Sequence, residues 1–167
     1  MLPITLTPHT LKAALIGQGD ALARRQALLG AAGVEARLLP ADTPDEALAG
    51  LSLLFVAGLP EGESRFLAAR ARALGVLVNV EDMLPLCDFH VPAIVRRGDL
   101  MLTVSTGGQA PGLSRALRET LSRQYGPEWT SRLRELSQAR ARWRAEGLTM
   151  AEVSQRLRDH ARKEGWL

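Results

Sequence analysis

The feature that most constrains the fold is a regular alternation of short apolar runs with longer segments rich in alanine, leucine and arginine. Short apolar runs are typical of buried strands, and the intervening segments have the length of helices. The apolar runs cover residues 11–16, 34–39, 51–58, 76–80 and 100–104. Strands that alternate with helices predict an α/β fold, with a parallel sheet and helices on both of its faces.

The sequence changes character after Pro111, where the strand patterns stop. Three helices are predicted there, over residues 113–125, 128–146 and 149–163. The last of them begins with a capping box, formed by Thr149 and by Glu152 three residues later. We therefore predict a βα domain at residues 1–111 and a helical region at residues 112–167.

The composition narrows the class of protein. Of the 167 residues 46% are apolar, which is enough for a sizeable core, and the single cysteine, Cys87, excludes an internal disulfide. No apolar run approaches the roughly 18–20 residues that a membrane helix needs. The N-terminus shows no signal-peptide pattern. These features predict a cytoplasmic protein with no membrane partner.

The charge is divided unevenly between the two parts of the chain. Residues 1–111 hold 9 Lys and Arg against 11 Asp and Glu, whereas residues 112–167 hold 12 against 7. A basic helical region is either a solvated surface or a binding face for a polyanion, such as nucleic acid or a small polyanionic molecule. The region lacks interleaved aromatic residues, zinc-finger spacing and a helix-turn-helix pattern, so no nucleic-acid partner is predicted.

A glycine turn follows the first predicted strand. Gly17, Gln18 and Gly19 stand between this strand and the first helix, where a backbone can approach a pyrophosphate and the helix N-terminus favours its charge. Leu22 stands where such motifs usually carry a third small residue. Asp42 lies about 23 residues after Gly19, near the distance at which an acid binds a ribose hydroxyl. The turn is either a dinucleotide site or a plain βα turn.

Two carboxylates follow the strand at residues 76–80. Glu81 and Asp82 stand at its carboxyl end, the edge at which open α/β sheets bind their ligands. An acid there can act as a general base or position a cationic group. The alternative is that Asp82 caps a turn before Pro85.

A small-hydroxyl and glycine turn follows the strand at residues 100–104. The amides of Thr106, Gly107 and Gly108 can face an anion there, or the segment can be a tight turn in which hydroxyls bind their own backbone. His90 stands in apolar sequence, where a lone histidine is more often packed than a ligand. Cys87 is interpreted as a small buried apolar residue.

Two neighbouring segments carry a resemblance to a known family. The sequence NVEDMLPLCDFHVPAIV, followed by LMLTVSTGGQAPGLSRALRETL, resembles the dehydrogenase and chelatase module of siroheme synthase. That module forms the precorrin-2 dehydrogenase and sirohydrochlorin ferrochelatase family. The matching residues are Asn79, Val80, Asp82, Phe89, Pro92, Ser105, Thr106, Gly107, Gly108, Pro111, Arg115 and Arg118. The N-terminal segment is also similar to the opening of the family, so the resemblance covers most of the chain.

The resemblance implies a fold and a reaction. It implies a Rossmann-like NAD-binding domain, a helical dimerisation region, a small C-terminal helical part and a homodimer. The implied reaction is the oxidation of precorrin-2, a tetrapyrrole with eight carboxylates, to sirohydrochlorin with NAD. Some members of the family also insert Fe2+ or Co2+ into sirohydrochlorin. An arginine-rich helical region suits such a polyanionic substrate.

The resemblance also implies roles for particular residues. Asp82 becomes the candidate catalytic acid or base and a candidate metal contact. His90, the one histidine near this segment, is a second candidate metal contact on its position alone. The implied cofactor contacts are Gly17, Gln18, Gly19, Asp20, Ala21, Ala41 and Asp42. The implied tetrapyrrole contacts are Ser105, Thr106, Gly107, Gly108 and Arg115.

Three departures from the family pattern keep a second interpretation open. Leu22 replaces the third small residue of the glycine turn, and residues 56–59 read Val-Ala-Gly-Leu where the family has Ala-Thr-Asp-Asp. The segment between Gly33 and Leu51 is short, as if one strand-plus-helix unit on the adenosine side were missing. The alternative is therefore a tetrapyrrole-binding or chelatase-only relative that has lost NAD binding.

Overall fold

The structure, a computed structural model, describes all residues from 1 to 167. The chain forms two compact units, Met1–Val91 and Pro92–Leu167. None of its helices is both long and apolar enough to cross a membrane.

The first unit is a run of alternating strands and helices. In chain order these are β1 (Ala13–Gly17), α1 (Gly19–Ala31), β2 (Arg37–Leu38), α2 (Asp45–Leu48), β3 (Leu53–Ala57), α3 (Glu61–Ala73) and β4 (Leu77–Val80). All pairings between the strands are parallel, and the order across the sheet is β2-β1-β3-β4. The chain leaves β1 toward β2 on one side and returns to β3 on the other, so the topological switch point lies between β1 and β3. The predicted Rossmann-like α/β class is confirmed.

The central strands β1 and β3 are buried on both faces of the sheet, and their successive residues alternate between two clusters. Ala14 and Ile16 of β1 face the cluster that contains Leu67 of α3, whereas Leu15 faces the cluster that contains Leu29 of α1. All five residues of β3 are buried. Strands buried on both faces read as continuous apolar runs, which is why the sequence predicts them without an alternating pattern.

The sheet ends early on the β2 side. β2 has two residues, both exposed, and a four-residue helix, α2, leads from it back to β3. No further strand pairs with β2. This agrees with the expectation that the sheet is shorter than a full Rossmann sheet by one βα unit.

Side chains rather than another strand close the outer edge of β4. The amide of Val78 donates to Asp88 Oδ2 at 2.9 Å, and the amide of Asp88 donates to the carbonyl oxygen of Val78 at 2.8 Å. Arg72 of α3 holds the other oxygen of the same carboxylate, with its Nε 2.8 Å from Asp88 Oδ1. The exposed polar groups of this edge are thereby satisfied, which blunts its capacity to pair with another chain.

The second unit combines a hairpin with three helices. Strands β5 (Ala93–Arg97) and β6 (Leu100–Val104) pair antiparallel. The helices are α4 (Pro111–Gln124), α5 (Trp129–Ala145) and α6 (Met150–Lys163). Arg97 ties the hairpin to the end of α4, because its guanidinium donates to the carbonyl oxygens of Tyr125 and Ser122 at 2.8 and 3.0 Å. The three predicted helices are confirmed, with bounds that differ by a few residues.

The placement of the last strand is a correction. The sequence predicts residues 100–104 as a strand of the parallel sheet, but β6 pairs only with β5. The sequence does not reveal the partner of β6, because the strand pattern of Ala93–Arg97 is cut short by two arginines at its end. This segment forms a hairpin with β6 through the turn at Gly98, whose φ is +58°.

Candidate functional site

Two loops meet backbone to backbone at the switch point of the sheet. The amide of Gln18 donates to the carbonyl oxygen of Ala57 at 3.1 Å. A Cβ on Gly17 would collide with that carbonyl oxygen, and a Cβ on Gly58 would collide with the carbonyl oxygen of Gln18. Glycine at both positions therefore allows the loops after β1 and β3 to approach this closely.

The N-terminus of α1 remains free of its own side chains. Gln18 occupies the N-cap position without a side-chain hydrogen bond to the helix. Gly19 follows with a φ of +63°, and nothing lies within 4 Å of the position its Cβ would take. The unsatisfied N–H groups of a first helical turn form an anion site when no cap occupies them. This turn fits a pyrophosphate group.

Leu22 does not fill the turn. Its side chain packs with the cluster that contains Leu15, Leu29 and Phe55, on the face of the sheet covered by α1. The larger residue thus contributes to the contact between helix and sheet, and the space above Gly19 is kept. Asp20 is exposed in the same first turn.

Ala41 and Asp42 lie beyond the carboxyl end of β2. Both are exposed. Leu39, just before them, extends the pairing with β1, since its amide donates to the carbonyl oxygen of Leu15 at 3.0 Å. Asp42 therefore lies off the same edge of the sheet as the glycine turn, where its carboxylate can accept hydrogen bonds from a ribose.

Asp82 lies in a strained turn at the end of β4. The amide of Met83 donates to the carbonyl oxygen of Val80 at 3.3 Å, and the amide of Glu81 to that of Val56 at 2.9 Å. With a φ of +60°, Asp82 is the one residue other than glycine with a positive φ. Aspartate tolerates this conformation at some cost, and such outliers cluster at functional sites. Its side chain is exposed and makes no hydrogen bond or ion pair.

Glu81, by contrast, is engaged. Its carboxylate oxygens lie 3.8 Å from Arg24 Nη2 and 3.9 Å from Arg25 Nη2. Burial lowers the pKa of Arg25, and the negative charge of Glu81 opposes that shift. The two adjacent acids are thus distinguished: Glu81 is paired with α1, and Asp82 is the free carboxylate.

Cys87 has a polar role that the sequence does not indicate. Its side chain packs against the core but is only partly buried, whereas the sequence indicated a buried apolar residue. The thiol also donates to the carbonyl oxygen of Val80 at 3.1 Å and accepts from the amide of Val80 at 3.3 Å. Asn79 donates to the carbonyl oxygen of Phe89 at 2.9 Å. These bonds join the strand before the Asp82 turn to the loop after it.

The hydroxyl and glycine turn of the second unit is held by its own side chains. Ser105 Oγ accepts from the amide of Gly107 at 3.3 Å, and Thr106 Oγ1 accepts from the amide of Ala110 at 3.2 Å. Thr106 Oγ1 also lies 3.0 Å from Ser114 Oγ in α4. These bonds are those of a tight turn, and the amide of Gly107 is occupied within it. Gly108 is exposed, with a φ of +80°.

Arg115 is an exposed residue of α4. Its Nε lies 3.1 Å from Glu119 Oε1, one helical turn further on. A surface pair of this kind is weak and can be exchanged for an anionic ligand.

Asp82 and His90 are the candidate metal contacts. No group of three His, Cys, Asp or Glu side chains lies close enough together to hold a metal ion. His90 is half-buried, and it makes no hydrogen bond or ion pair. A role for Asp82 or His90 toward a metal therefore stays a prediction.

Comparisons with known proteins place the chain in a family. A family model described as "Putative NAD(P)-binding" matches residues 4–93. The siroheme synthase of Methylococcus capsulatus is 32% identical in an alignment of 137 positions, gaps included, that covers 70% of this chain and 29% of that protein. The siroheme synthase of Pseudomonas paraeruginosa is 30% identical in an alignment of 186 positions, gaps included, that covers 89% of this chain and 40% of that protein.

This chain belongs to the siroheme synthase N-terminal module family. A solved structure of SirC, precorrin-2 dehydrogenase, is also similar, with a TM-score of 0.71 and 20% identity over 95% of this chain and 88% of that one. That likeness shows the shared fold. The chain spans between about a quarter and two fifths of the length of the siroheme synthases named above.

The residues at which this chain departs from the family pattern can be located in the structure. Leu22 lies under the glycine turn, in the contact between helix and sheet. Gly58, in the segment 56–59 that departs from the family pattern, lies where a Cβ would collide with the carbonyl oxygen of Gln18. The short adenosine side corresponds to the two-residue β2 and the brief α2. The glycine turn itself keeps its open geometry.

The predicted site residues fall into two groups. The turns after β1 and β4 and the segment after β2 all leave the carboxyl edge of one parallel sheet, so the cofactor contacts and Asp82 share that edge. The predicted tetrapyrrole contacts lie together in the second unit, at the start of α4 and just before it. Sequence reasoning missed Arg25 and the hydrogen bonds of Cys87. Neither residue belongs to a local motif, and both acquire their partners only through the fold.

Proposed function

We propose that this siroheme synthase-type module oxidises precorrin-2 to sirohydrochlorin with NAD, and that Asp82 is its catalytic acid or base. The observation that carries the proposal is the state of Asp82. It is a free, exposed carboxylate in a left-handed turn, at the same sheet edge as the uncapped N-terminus of α1.

The residues of the glycine turn would hold the cofactor. The amides that follow Gln18 would bind the pyrophosphate, and Asp42 would accept hydrogen bonds from the adenosine ribose. Gly17, Gly19, Asp20, Ala21 and Ala41 complete the proposed contacts. NAD, when bound, supplies a hydride acceptor. The physical support is the open space over Gly19 and the absence of a side-chain cap on α1.

Asp82 would handle the proton. The oxidation of precorrin-2 removes one hydride and one proton from neighbouring positions of the macrocycle. An ionised carboxylate can accept that proton, and an exposed one can pass it to water. Because Glu81 is paired with arginines, the proton is assigned to the neighbouring carboxylate.

The second unit would bind the tetrapyrrole. Ser105, Thr106, Gly107 and Gly108 would line its edge, and Arg115 would pair with one of the substrate carboxylates. Insertion of Fe2+ or Co2+ into sirohydrochlorin is a further proposed activity, with the metal ion as a substrate and with Asp82 and His90 as its candidate contacts.

We also propose that the chain acts as a cytoplasmic homodimer. Leu113 and Leu117 stand one turn apart on α4 and are 53% and 43% exposed. Apolar residues at this spacing share one helix face, so a second copy would gain by covering them.

A second candidate function is favoured by one observation, the exposed two-residue β2. If the short adenosine side no longer binds NAD, the chain would be a tetrapyrrole-binding or chelatase-only relative. Thermal unfolding distinguishes the two functions. Ligand binding raises the stability by RT ln(1+[L]/Kd). A shift with sirohydrochlorin but none with millimolar NAD or NADP would favour the second function.

The direct test is an anaerobic assay of precorrin-2 with and without NAD. We expect sirohydrochlorin and NADH to appear in equal amounts, and only when NAD is present. Gly19→Ala should raise the Kd for NAD about tenfold, because a Cβ would enter the space of the pyrophosphate in a conformation that disfavours it. Gly30→Ala, in the same helix with open space around it, is the matched control. Wild-type protein that yields no sirohydrochlorin with either nicotinamide cofactor contradicts the proposal.

A further inference from the structure

Two neighbouring arginines of α1 approach the same carboxylate from unequal surroundings. Arg24 lies 3.8 Å from Glu81 Oε2 with 64% of its side chain exposed, and Arg25 lies 3.9 Å from Glu81 Oε1 with 12% exposed. An exposed pair is screened by water and by salt, whereas a buried one is screened far less. Arg25 is therefore the arginine that holds Glu81.

Arg25 is itself held from the sheet side. Its guanidinium carbon lies 5.6 Å from the centre of the Phe55 ring, in a cation–π contact. Phe55 is buried in β3 and makes an edge-on contact with Phe89, with ring centres 5.3 Å apart. Such contacts gain strength when the cation is desolvated. The guanidinium is thus fixed between β3 and Glu81.

Glu81 connects this cation to the free carboxylate. Its amide donates to Val56 in β3, and it stands directly before Asp82 in the turn closed by the bond from Met83 to Val80. The charged or titratable groups around Arg25 are Arg24 from α1, Glu81 and Asp82 from the turn, and Cys87 from the loop after it.

We propose that Arg25 is a positioning residue, which acts through Glu81 to fix the Asp82 turn relative to α1. Arg25 stands on the helix whose first turn is the proposed cofactor site, six residues after Gly19. The pair with Glu81 therefore sets the separation between that site and Asp82. The expected effect of Arg25 on the rate of precorrin-2 oxidation rests on the proposed function. Its expected effect on the opening of the Asp82 turn does not.

The first measurement is independent of activity. Amide hydrogen exchange at Glu81 and Met83 reports the opening of the turn. We expect Arg25→Met to accelerate exchange at both amides about tenfold, with the β3 core amides unchanged. Arg24→Met should leave both amides as they are in the wild type. Glu81→Gln, which keeps the shape of the side chain, should reproduce the effect of Arg25→Met and serves if that variant does not fold.

The second measurement is kinetic. We expect Arg25→Met to lower kcat for precorrin-2 oxidation about tenfold, with little change in the KM for precorrin-2, and Arg25→Lys to recover part of the loss. Arg25→Met combined with Glu81→Gln should be no slower than the worse single variant, because both residues act through one pair. When Arg24→Met and Glu81→Gln are combined, their effects on kcat should instead multiply.

The outcomes separate the two proposals. Wild-type protein without precorrin-2 oxidation contradicts the proposed function, and the amide exchange then still decides the role of Arg25. Equal exchange and equal kcat in Arg24→Met and Arg25→Met overturn that role. A loss of melting temperature in Arg25→Met with wild-type exchange at Met83 overturns it as well.

Discussion

The thiol of Cys87 bonds both backbone polar groups of Val80, donating to its carbonyl oxygen at 3.1 Å and accepting from its amide at 3.3 Å. Val80 is the last residue of β4, the edge strand of the sheet. A side chain thus does at this position what a neighbouring strand would do, next to the turn that carries Asp82.

Cys87→Ala should therefore destabilise the chain by about 1–3 kcal/mol, the cost of leaving the buried amide of Val80 unpaired, whereas the carbonyl oxygen of Val80 keeps the bond from the amide of Met83. Cys87→Ser keeps a donor and an acceptor of similar size and should lose less. Urea unfolding of the two variants measures the difference. Equal stability of Cys87→Ala and wild type would show that these bonds contribute nothing.

Substitutions of Asp82 should change stability and activity independently of each other. Its φ of +60° is strained for a residue with a Cβ. We expect Asp82→Gly to be at least as stable as wild type, Asp82→Asn to be close to it, and Asp82→Ala to be less stable by about 1 kcal/mol. All three should lose precorrin-2 oxidation to a similar extent. If activity instead followed stability across the series, the turn geometry rather than the carboxylate would matter.

The close contact between the loops after β1 and β3 should make Gly58 intolerant of a side chain. A Cβ there meets the backbone of Gln18. Gly58→Ala should lower the free energy of unfolding by several kcal/mol, at the upper end of single-residue effects. Gly30→Ala, in an open helical position, should be neutral or raise it by about 0.5–1 kcal/mol. Comparable effects of the two substitutions in chemical denaturation would contradict the described contact.

The start of α6 should weaken in acid. A hydrogen bond from the Thr149 hydroxyl lowers the pKa of Glu152, and a bond from the Thr149 amide adds to it. A lowered carboxyl pKa contributes stability that is present above its ordinary value near 4.5 and is lost as the pH falls through the lower, folded value. Helix content followed by circular dichroism should therefore fall on acidification below this range. Glu152→Gln should remove this part of the pH dependence. If helix content in that variant fell with pH as it does in the wild type, the role of Glu152 would be contradicted.

The parallel sheet could be predicted from the sequence because its strands are buried on both faces. β1 and β3 are apolar without interruption, and glycines follow both of them in the sequence. The β5–β6 hairpin could not be predicted in this way, because β5 carries Arg96 and Arg97 and is only partly buried. Its strand pattern depends on a partner that the local sequence does not reveal.

The candidate site was only partly visible in the sequence. Asp82 stands at a strand end and in a family motif, so it could be named. The difference between the free Asp82 and the paired Glu81 could not be predicted. It depends on Arg25, a helix residue that is far away in the sequence. The role of Arg25 depends in turn on Phe55, which lies below it in the folded chain. Such three-way contacts leave no periodic or local signal.

The catalytic role of Asp82 is tested by the single-turnover rate of sirohydrochlorin formation by Asp82→Asn at saturating NAD. Glu35→Gln, a change at an exposed acid before β2 and away from the carboxyl edge, is its control. The account expects Asp82→Asn to be slower than wild type by about 10²–10⁴-fold, the usual contribution of a general acid or base, with the Kd for NAD unchanged. A rate within twofold of both wild type and the control would contradict it.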